Sequence, residues 1–434
     1  MMRAKVAAQV RNQIDDCDSE RISTIVPRDG GDDVRAVLYD AIIIGAGIAG
    51  LYAATRMREK LGPRARILVL EKHRRNQVGG RADSELFEGV SVVSGAGIGR
   101  KAKDRLLMDL LQQYNVPHGE FTVLKRFAKT IANPVDTGAR MRFLQRAFAQ
   151  DQRKWQGSSF KQFASAVLGE RAYKDYIACA QHTDYEDADV YETLYLYGLE
   201  DNEPGWTAVT VPWHELVQKM TQQLEIQYLR DVARVLPVAE DRFIVKTTDK
   251  HIYTCRQVVV AGTVTSLRKL FPRHKMYKEI EGQAYLRLYG KFDKQSADIM
   301  SKEVPNMTIV PGPLRNIIPM QEGVYMIAYA DSDSAETLQS VLPNTVKNRA
   351  FLCRMIERAL GIKKNSLNMT ATRAYYWPVG THYYKPRQYA DTPYSEFLHM
   401  LQHPMPGVTV VGEVVAANHG WVEGALESVE LGLK

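Results

Sequence analysis

One stretch, residues 39–56 (YDAIIIGAGIAGLYAATR), constrains the fold of this chain more than any other. Residues 41–44 form a short apolar run rich in β-branched side chains, which predicts a buried parallel strand, and residues 51–60 predict a helix. The glycines between them follow the spacing G-x-G-x-x-G: Gly45, Gly47 and Gly50. A glycine turn between a buried strand and a helix is typical of a site that binds the pyrophosphate of a dinucleotide.

Each glycine has its own role in this interpretation. Gly45 permits the tight turn, Gly47 lets a pyrophosphate approach the backbone, and Gly50 lets the helix pack against the strand. The first helical residues, Ile48 and Ala49, offer free N–H groups, and the helix dipole favours negative charge there. The alternative is a glycine-rich strand–helix turn that binds no nucleotide.

Residues beyond the next predicted strand extend this site. That strand, residues 67–70, ends in Glu71, about 20 residues past the glycines, where an acceptor for a ribose hydroxyl is expected. Residues 79–81 (GGR) bring backbone N–H groups and a guanidinium to one point, which suits a phosphate or the edge of a flavin. A further strand over residues 90–94 leads into the glycine-rich residues 95–100, which indicates backbone passing close to a flat group.

Length and composition bound the class of protein. At 434 residues, with 45% hydrophobic and 25% charged residues, the chain fits an ordinary globular protein of two domains. A net charge of +7 is compatible with nucleic acid or an anionic surface but specifies neither. Four widely separated cysteines argue against disulfides and a zinc site and favour a reducing compartment such as the cytoplasm. No apolar run reaches the roughly 18 residues of a membrane helix, and we see no secretory signal.

Two segments leave alternatives open. Residues 1–37 are polar and charged and predict either a tail or a docking arm. Residues 184–203 carry eight acidic residues and no Lys or Arg in a chain that is otherwise basic. We interpret this second segment either as the solvated face of a helix or as an electrostatic lure for a cationic substrate.

Four separated stretches together resemble the flavin amine oxidase superfamily, which includes monoamine and polyamine oxidases and borders on carotenoid desaturases. They are IIIGAGIAGL at 42–51, EKHRRNQVGGR at 71–81, WPVGTHYY at 377–384 and VVGEVVAANHGWVEGALESV at 410–429. Their order and their nearly full-length span make the resemblance specific. It implies an α/β fold, with a Rossmann-type FAD-binding domain and a discontinuous α+β substrate domain.

The resemblance also implies roles for individual positions. Glu71 would hold the adenosine ribose, Val232 would offer its backbone to the adenine, and Trp421 would lie near the flavin ring at the start of the last helix. The full set of expected cofactor-binding residues is Gly45, Gly47, Ile48, Ala49, Gly50, Glu71, Lys72, Gly79, Gly80, Arg81, Gly97, Val232, Gly412, Glu413, Trp421 and Val422. The stretch GTHYY contains no cysteine, so FAD is expected to be held non-covalently.

Aromatic side chains stand over the catalytic face of the flavin in such oxidases and guide the amine. Tyr383, or His382 one place earlier, matches one of these positions, and Trp421 matches the other. The alternative is that these aromatic residues belong to the hydrophobic core.

Arg287 marks a departure from the family. Many members carry a lysine, linked through water to flavin N5, in the strand that matches residues 283–292. Arg287 is the best match to that lysine, and Lys291 lies four residues further on. Because an arginine does not lose its proton at ordinary pH, the water network would differ, and we expect slow or absent oxidation of simple amines.

The leading hypothesis is an FAD-dependent amine oxidase that transfers a hydride from an amine to flavin N5, with O2 as the acceptor and a small molecule as substrate. The stretches GAGIGR at 95–100, YLRLYGKF at 285–292 and WPVGTHYY at 377–384 also resemble amine-oxidase-like chains carried by large DNA viruses. One alternative is therefore a weakly active or inactive flavoprotein with a structural role, such as a virion component. Another is an oxidase or desaturase of a larger apolar substrate. The expected domains are an N-terminal arm or tail (1–37), an FAD-binding domain (38–100, 212–282 and 396–434) and a substrate domain (101–211 and 283–395).

Overall fold

The computed structural model describes residues 37–197, 205–239, 241–387 and 393–434. Its strands are β1 (Leu38–Ile44), β2 (Ile67–Leu70), β3 (Ser84–Phe87), β4 (Val90–Val93), β5 (Gly99–Arg100), β6 (Gly119–Thr122), β7 (Lys125–Phe127), β8 (Thr207–Thr210), β9 (Glu225–Gln227), β10 (Val232–Ala239), β11 (Arg242–Thr247), β12 (Ile252–Val260), β13 (Ile280–Phe292), β14 (Met307–Ile309), β15 (Asn316–Pro319), β16 (Val324–Asp331), β17 (Met369–Tyr384) and β18 (Val408–Val410).

The helices alternate with these strands in the first part of the chain and cluster together in the middle. They are α1 (Ile48–Leu61), α2 (Arg105–Gln113), α3 (Thr137–Gln150), α4 (Gln152–Trp155), α5 (Phe160–Leu168), α6 (Glu170–Cys179), α7 (Val190–Tyr195), α8 (Trp213–Thr221), α9 (Val264–Leu270), α10 (Lys294–Glu303), α11 (Ser332–Leu338), α12 (Val346–Leu360), α13 (Tyr394–Gln402) and α14 (Val422–Gly432). No helix in the described ranges is long and apolar enough to cross a membrane.

A seven-stranded sheet forms around β1 in the described residues. β1 pairs in parallel with β2 on one side and with β12 on the other, and β9 extends the parallel part beyond β2. β10 and β11 add an antiparallel edge beyond β12, while β18 pairs in parallel with the last residues of β12. β1 is almost wholly buried because helices cover both faces of the sheet, which is the reason for its continuous apolar sequence.

A second sheet of six strands has the order β17-β13-β16-β15-β14-β7. β13 lies at its centre and pairs antiparallel with both β16 and β17. Side chains alternate along β13, so Leu286 and Leu288 face a core shared with α10, α11 and α12. Tyr285 and Arg287, at the alternate positions, face the opposite way, and Arg287 points toward Gly95 and Gly97 after β4.

A helical cluster made of α3, α5, α6 and α7 packs around buried aromatic side chains such as Phe160, Tyr176 and Tyr185. The start of the acidic segment lies inside this cluster. Asp189 is fully buried and caps α7 through the N–H groups of Tyr191 and Glu192.

Of the five described acids in residues 184–203, Glu186 is partly exposed and Asp187 is exposed, as the solvated-face interpretation expects. The interpretation as a solvated face or a lure is wrong for the other three, at 184, 189 and 192. All three are buried, and burial raises the pKa of each of them. They act as buried structural groups and do not present charge to solvent. The acids at 200, 201 and 203 lie outside the described residues, as does the expected arm or tail at residues 1–36.

Candidate active site

A cavity of about 790 Å³ is lined by residues from both sheets. Every residue expected to bind the cofactor contributes to its wall, although these residues come from five separate parts of the chain. Arg287 lines the same cavity from β13. Lys291, the other candidate for the family's lysine, does not, because its ammonium group donates to the carbonyl of Glu322 at the far end of the strand.

The glycine turn between β1 and α1 has the geometry that its sequence predicts. Gly45 has a φ of +103°, and a Cβ at this position would lie 2.5 Å from the carbonyl oxygen of Ala261. A Cβ at Gly50 would lie 2.0 Å from the oxygen of Gly45, so only glycine lets α1 approach the strand this closely. A Cβ at Gly47 would meet nothing closer than 3.8 Å and would occupy the cavity itself. The N-cap of α1 is Gly47, which has no side chain to cap the helix, so the first N–H groups of α1 suit an anion in the cavity.

Glu71 organises the ribose end expected for the cavity. Its two carboxylate oxygens accept hydrogen bonds from the N–H groups of Ala46, at 2.7 Å, and His73, at 2.8 Å. The residue is buried yet lies on the cavity wall, which Val232 at the start of β10 also lines. Glu71 therefore fixes the backbone of the glycine turn, and its remaining acceptor capacity faces the cavity.

Glu413 joins three separate parts of the cavity wall. One oxygen accepts from the backbone N–H groups of His382, at 2.9 Å, and Gly420, at 3.0 Å. The other accepts from Arg81 Nη1, at 3.2 Å, and lies within hydrogen-bond distance of His382 Nδ1. Burial alone would raise the pKa of Glu413, but His382, Arg81 and His419 together hold it well below its usual value. The carboxylate is therefore ionised at neutral pH.

Arg287 lies at the end of the cavity formed by the second sheet and the glycines after β4. Its Nε donates to the carbonyl of Gly95 at 2.6 Å, and its Nη2 donates to the Tyr285 hydroxyl at 3.1 Å. A Cβ at Gly97 would lie 2.8 Å from Nη2, so this glycine makes room for the guanidinium. Burial lowers the pKa of Arg287, but the neighbouring tyrosines raise this pKa by more than burial lowers it. The net shift is therefore upward, and the guanidinium stays charged.

Aromatic side chains line the same cavity as Arg287. Trp377 lines the cavity and is held by a 2.8 Å hydrogen bond from its Nε1 to the carbonyl of Ser94, and Trp213 is held in the same way by Gly97. Trp421 stands just before α14, where its Nε1 donates to Asp104 at 2.7 Å. Tyr285 completes this group. Sequence reasoning identified Trp421 but missed the other three, although strand alternation places Tyr285 on the same face as Arg287.

Tyr383 and His382 do not lie on the wall of this cavity, so the prediction that one of them stands over a flavin there is wrong. His382 is buried, and its Nε2 accepts from the N–H of Val264 while its Nδ1 faces Glu413. Tyr383 packs against the helical cluster and borders a separate cavity of only about 20 Å³. Both residues pack behind the cavity wall. The aromatic residue of this stretch that lines the cavity is Trp377.

A buried polar cluster lies behind the aromatic wall. The Asp331 carboxylate accepts from the backbone and hydroxyl of Thr183 and pairs with His182 Nδ1 at 3.6 Å. Burial would lower the pKa of His182, but Tyr329, Asp331 and Asp184 raise it to about 9. The pKa of Asp331 is held below its usual value despite burial, mainly by His182. The two groups therefore form a matched ion pair at neutral pH.

The fold and this cavity define the class of protein: a Rossmann-type dinucleotide-binding domain joined to a second, sheet-rich domain. A family model described as an NAD(P)-binding Rossmann-like domain matches residues 43–114. A prolycopene isomerase of Arabidopsis thaliana chloroplasts is 56% identical over 46 residues, which are 11% of this chain and 7% of the plant enzyme.

The solved structure of a redesigned putrescine oxidase, a triple mutant with altered cofactor binding, superimposes with a TM-score of 0.68. The match covers 91% of this chain and 97% of that protein at 14% sequence identity. The chain therefore has the fold of putrescine oxidase, and the resemblance to the flavin amine oxidases is confirmed at the level of the fold. These relatives lend no support to the resemblance to viral chains.

Proposed function

We propose that this protein is an FAD-dependent oxidoreductase that acts on a small organic molecule bearing an amine. The observation that carries the proposal is the continuity of the cavity. One end has the glycine turn, Glu71 and an uncapped helix start, which suit a dinucleotide, and the other end is lined by aromatic side chains. A cofactor and a substrate can therefore meet in one enclosed space.

The residues of the first sheet fit the polar parts of FAD. The start of α1 and the glycines at 79 and 80 would hold the pyrophosphate, Glu71 the adenosine ribose, and Glu413 with Arg81 the ribityl region. None of the described cysteines, at 179, 255 and 353, lines the cavity, which supports non-covalent binding. When bound, the flavin would supply the redox chemistry, which is hydride acceptance from the substrate and reoxidation by O2 with release of hydrogen peroxide.

The substrate end of the cavity would position the reacting carbon and exclude water. Trp377 and Trp421 are each fixed by a hydrogen bond from the indole N–H, so their rings form rigid walls. The fixed charge of Arg287 disfavours a second cation nearby, so an amine would bind as the neutral base. Water would then hydrolyse the imine product of the oxidation.

The proposal is tested with purified protein. It should be yellow, and acid precipitation should release FAD into the supernatant because no covalent bond holds it. Hydrogen peroxide should then be measured across a panel of mono-, di- and polyamines and amino acids. We expect slow turnover of simple amines by the wild type and faster turnover by Arg287→Lys, with Lys291→Met as the control on the same strand. A folded protein without colour would refute the proposal that FAD is the cofactor. If no amine of the panel reduces the bound flavin in the absence of oxygen, the proposal that the substrate is an amine is refuted.

A second candidate is an oxidase, desaturase or isomerase of a larger apolar substrate. The aromatic and apolar residues at 376–379 line the cavity and suit an apolar substrate. The short match to a plant prolycopene isomerase also supports this candidate. Reduction of the flavin by a polyene but by no amine would favour this candidate. A protein that binds FAD and is reduced by neither class of substrate would favour a structural role.

A further inference from the structure

Arg287 is a buried cation that no acidic side chain of the described residues neutralises. The residue is only 3% exposed, and the groups that it contacts are uncharged at neutral pH: a backbone carbonyl, a tyrosine hydroxyl and the thioether of Met326. Its guanidinium also lies 4.3 Å from the centre of the Tyr329 ring. Within the described ranges no Asp or Glu forms an ion pair with it, and a charge buried without a partner is costly.

The other two arginines on the cavity wall in the described ranges have acidic partners. Arg230 pairs with Asp249 at 3.0 Å. Arg81, which is partly exposed, pairs with Glu413. Arg287 differs from these two arginines because no acid of the described residues balances its charge. A negatively charged group bound in the cavity would balance it.

Two buried acids behind the aromatic wall, Asp331 and Asp184, already have partners of their own. Asp331 is matched by His182 and Thr183, and the ring of Tyr329 lies between this cluster and Arg287, 5.0 Å from the His182 ring. Asp184 accepts a hydrogen bond from the Tyr197 hydroxyl on the far side of the wall. The charge of Arg287 therefore acts mainly on whatever occupies the cavity, in a region of low dielectric constant.

We propose that the substrate of this site carries a carboxylate and that Arg287 binds it. The planar fork of a guanidinium matches a carboxylate in shape as well as in charge. The surrounding rings of Tyr285 and Trp377 suit an apolar or aromatic group beside that carboxylate. The substrate is then an amino acid or a related amino carboxylate, and a simple diamine or polyamine is a poor fit. This inference rests on the proposed function, since it places the substrate beside a bound flavin.

The test compares two ligands of nearly equal shape on the FAD-loaded protein. Benzoate carries the carboxylate and benzamide is its neutral counterpart, and each is titrated while the flavin absorption spectrum and the heat of binding are recorded. We expect benzoate to bind about tenfold tighter than benzamide or better, the effect of one hydrogen-bonded charge pair. Arg287→Met should abolish this preference, Arg287→Lys should retain part of it, and Lys291→Met should leave it unchanged.

Each outcome separates the inference from the proposed function. Equal affinity for the two ligands in the wild type, or a preference that survives in Arg287→Met, overturns the inference while FAD binding stands. Loss of FAD from Arg287→Met also overturns it, because the arginine would then hold the cofactor. A wild-type protein that binds no FAD refutes the proposed function and the inference together. If Arg287→Met does not fold, the wild-type comparison and the Arg287→Lys variant decide the question.

Discussion

Glu413 offers the sharpest test of how the cavity is held together. Its carboxylate accepts four hydrogen bonds, from two backbone N–H groups, from Arg81 and from His382, and it is almost completely buried. In Glu413→Gln the shape is kept, but an amide NH2 replaces the oxygen that faces Arg81 and His382. Breaking a buried pair in this way typically costs about 3 to 5 kcal/mol. Because part of the Arg81 side chain is exposed, we expect the lower half of that range.

The effect is measured by thermal unfolding followed by circular dichroism. Scaled by the usual entropy of unfolding per residue, a loss of about 4 kcal/mol lowers the Tm of a 434-residue chain by roughly 4 °C. The control is Glu59→Gln, which removes an exposed ion pair with Arg56 and should change the Tm little. A Glu413→Gln protein that melts together with this control would refute the argument.

The pH dependence of the same variant provides an independent check. The pKa of Glu413 is lower in the folded protein than in the unfolded chain, so its stabilising effect is fully present above the unfolded value of about 4.3. That contribution is lost as the pH falls through the folded value. The difference in Tm between wild type and Glu413→Gln should therefore be constant from pH 6 to pH 8 and become smaller below about pH 4. A difference that grows on acidification would contradict the assigned ionisation.

Two further predictions concern the dinucleotide end of the cavity. Gly47→Val should fold normally but lose FAD, because its side chain would project into the cavity; a yellow variant with wild-type occupancy would refute this role. Glu71→Ala should weaken FAD binding by about 1 to 3 kcal/mol in a fluorescence titration, the cost of losing a charge-assisted hydrogen bond. An unchanged affinity would mean that Glu71 only fixes the N–H groups of Ala46 and His73.

Local backbone requirements explain what the sequence alone could predict. The turn after β1 needs a positive φ at Gly45, and at Gly50 it needs α1 to come close to the backbone of Gly45. Glycine meets each of these requirements because it has no Cβ. The apolar run before it and the amphipathic run after it are likewise local signals. For this reason the Rossmann-type fold and the residues along the dinucleotide end of the cavity were predictable.

The sequence alone could not predict which aromatic residues line the cavity. Their placement depends on the register of β13 and β17, which pairs residues about 90 positions apart. β13 and β17 pair Gln283 with Thr381 and then Tyr285 with Trp377, so β17 uses two extra residues in a bulge between these pairs. The bulge brings Trp377 to the cavity wall, while Tyr383 and His382 fall beyond it. Whether an aromatic residue lines a cavity or fills a core depends on this register, which no local pattern specifies.

Burial decided the roles of the charged residues for the same reason. The acids at 184, 189 and 192 form a polar, acidic pattern in the sequence, yet the helical cluster encloses them and gives them internal partners. Arg287 shows the opposite result, since it is enclosed without an acidic partner in the part of the chain that the structure describes. The charge of a side chain follows from its chemistry and can be read from the sequence. The partner of that charge is a residue distant in the sequence, which comes close only when the two sheets pack together.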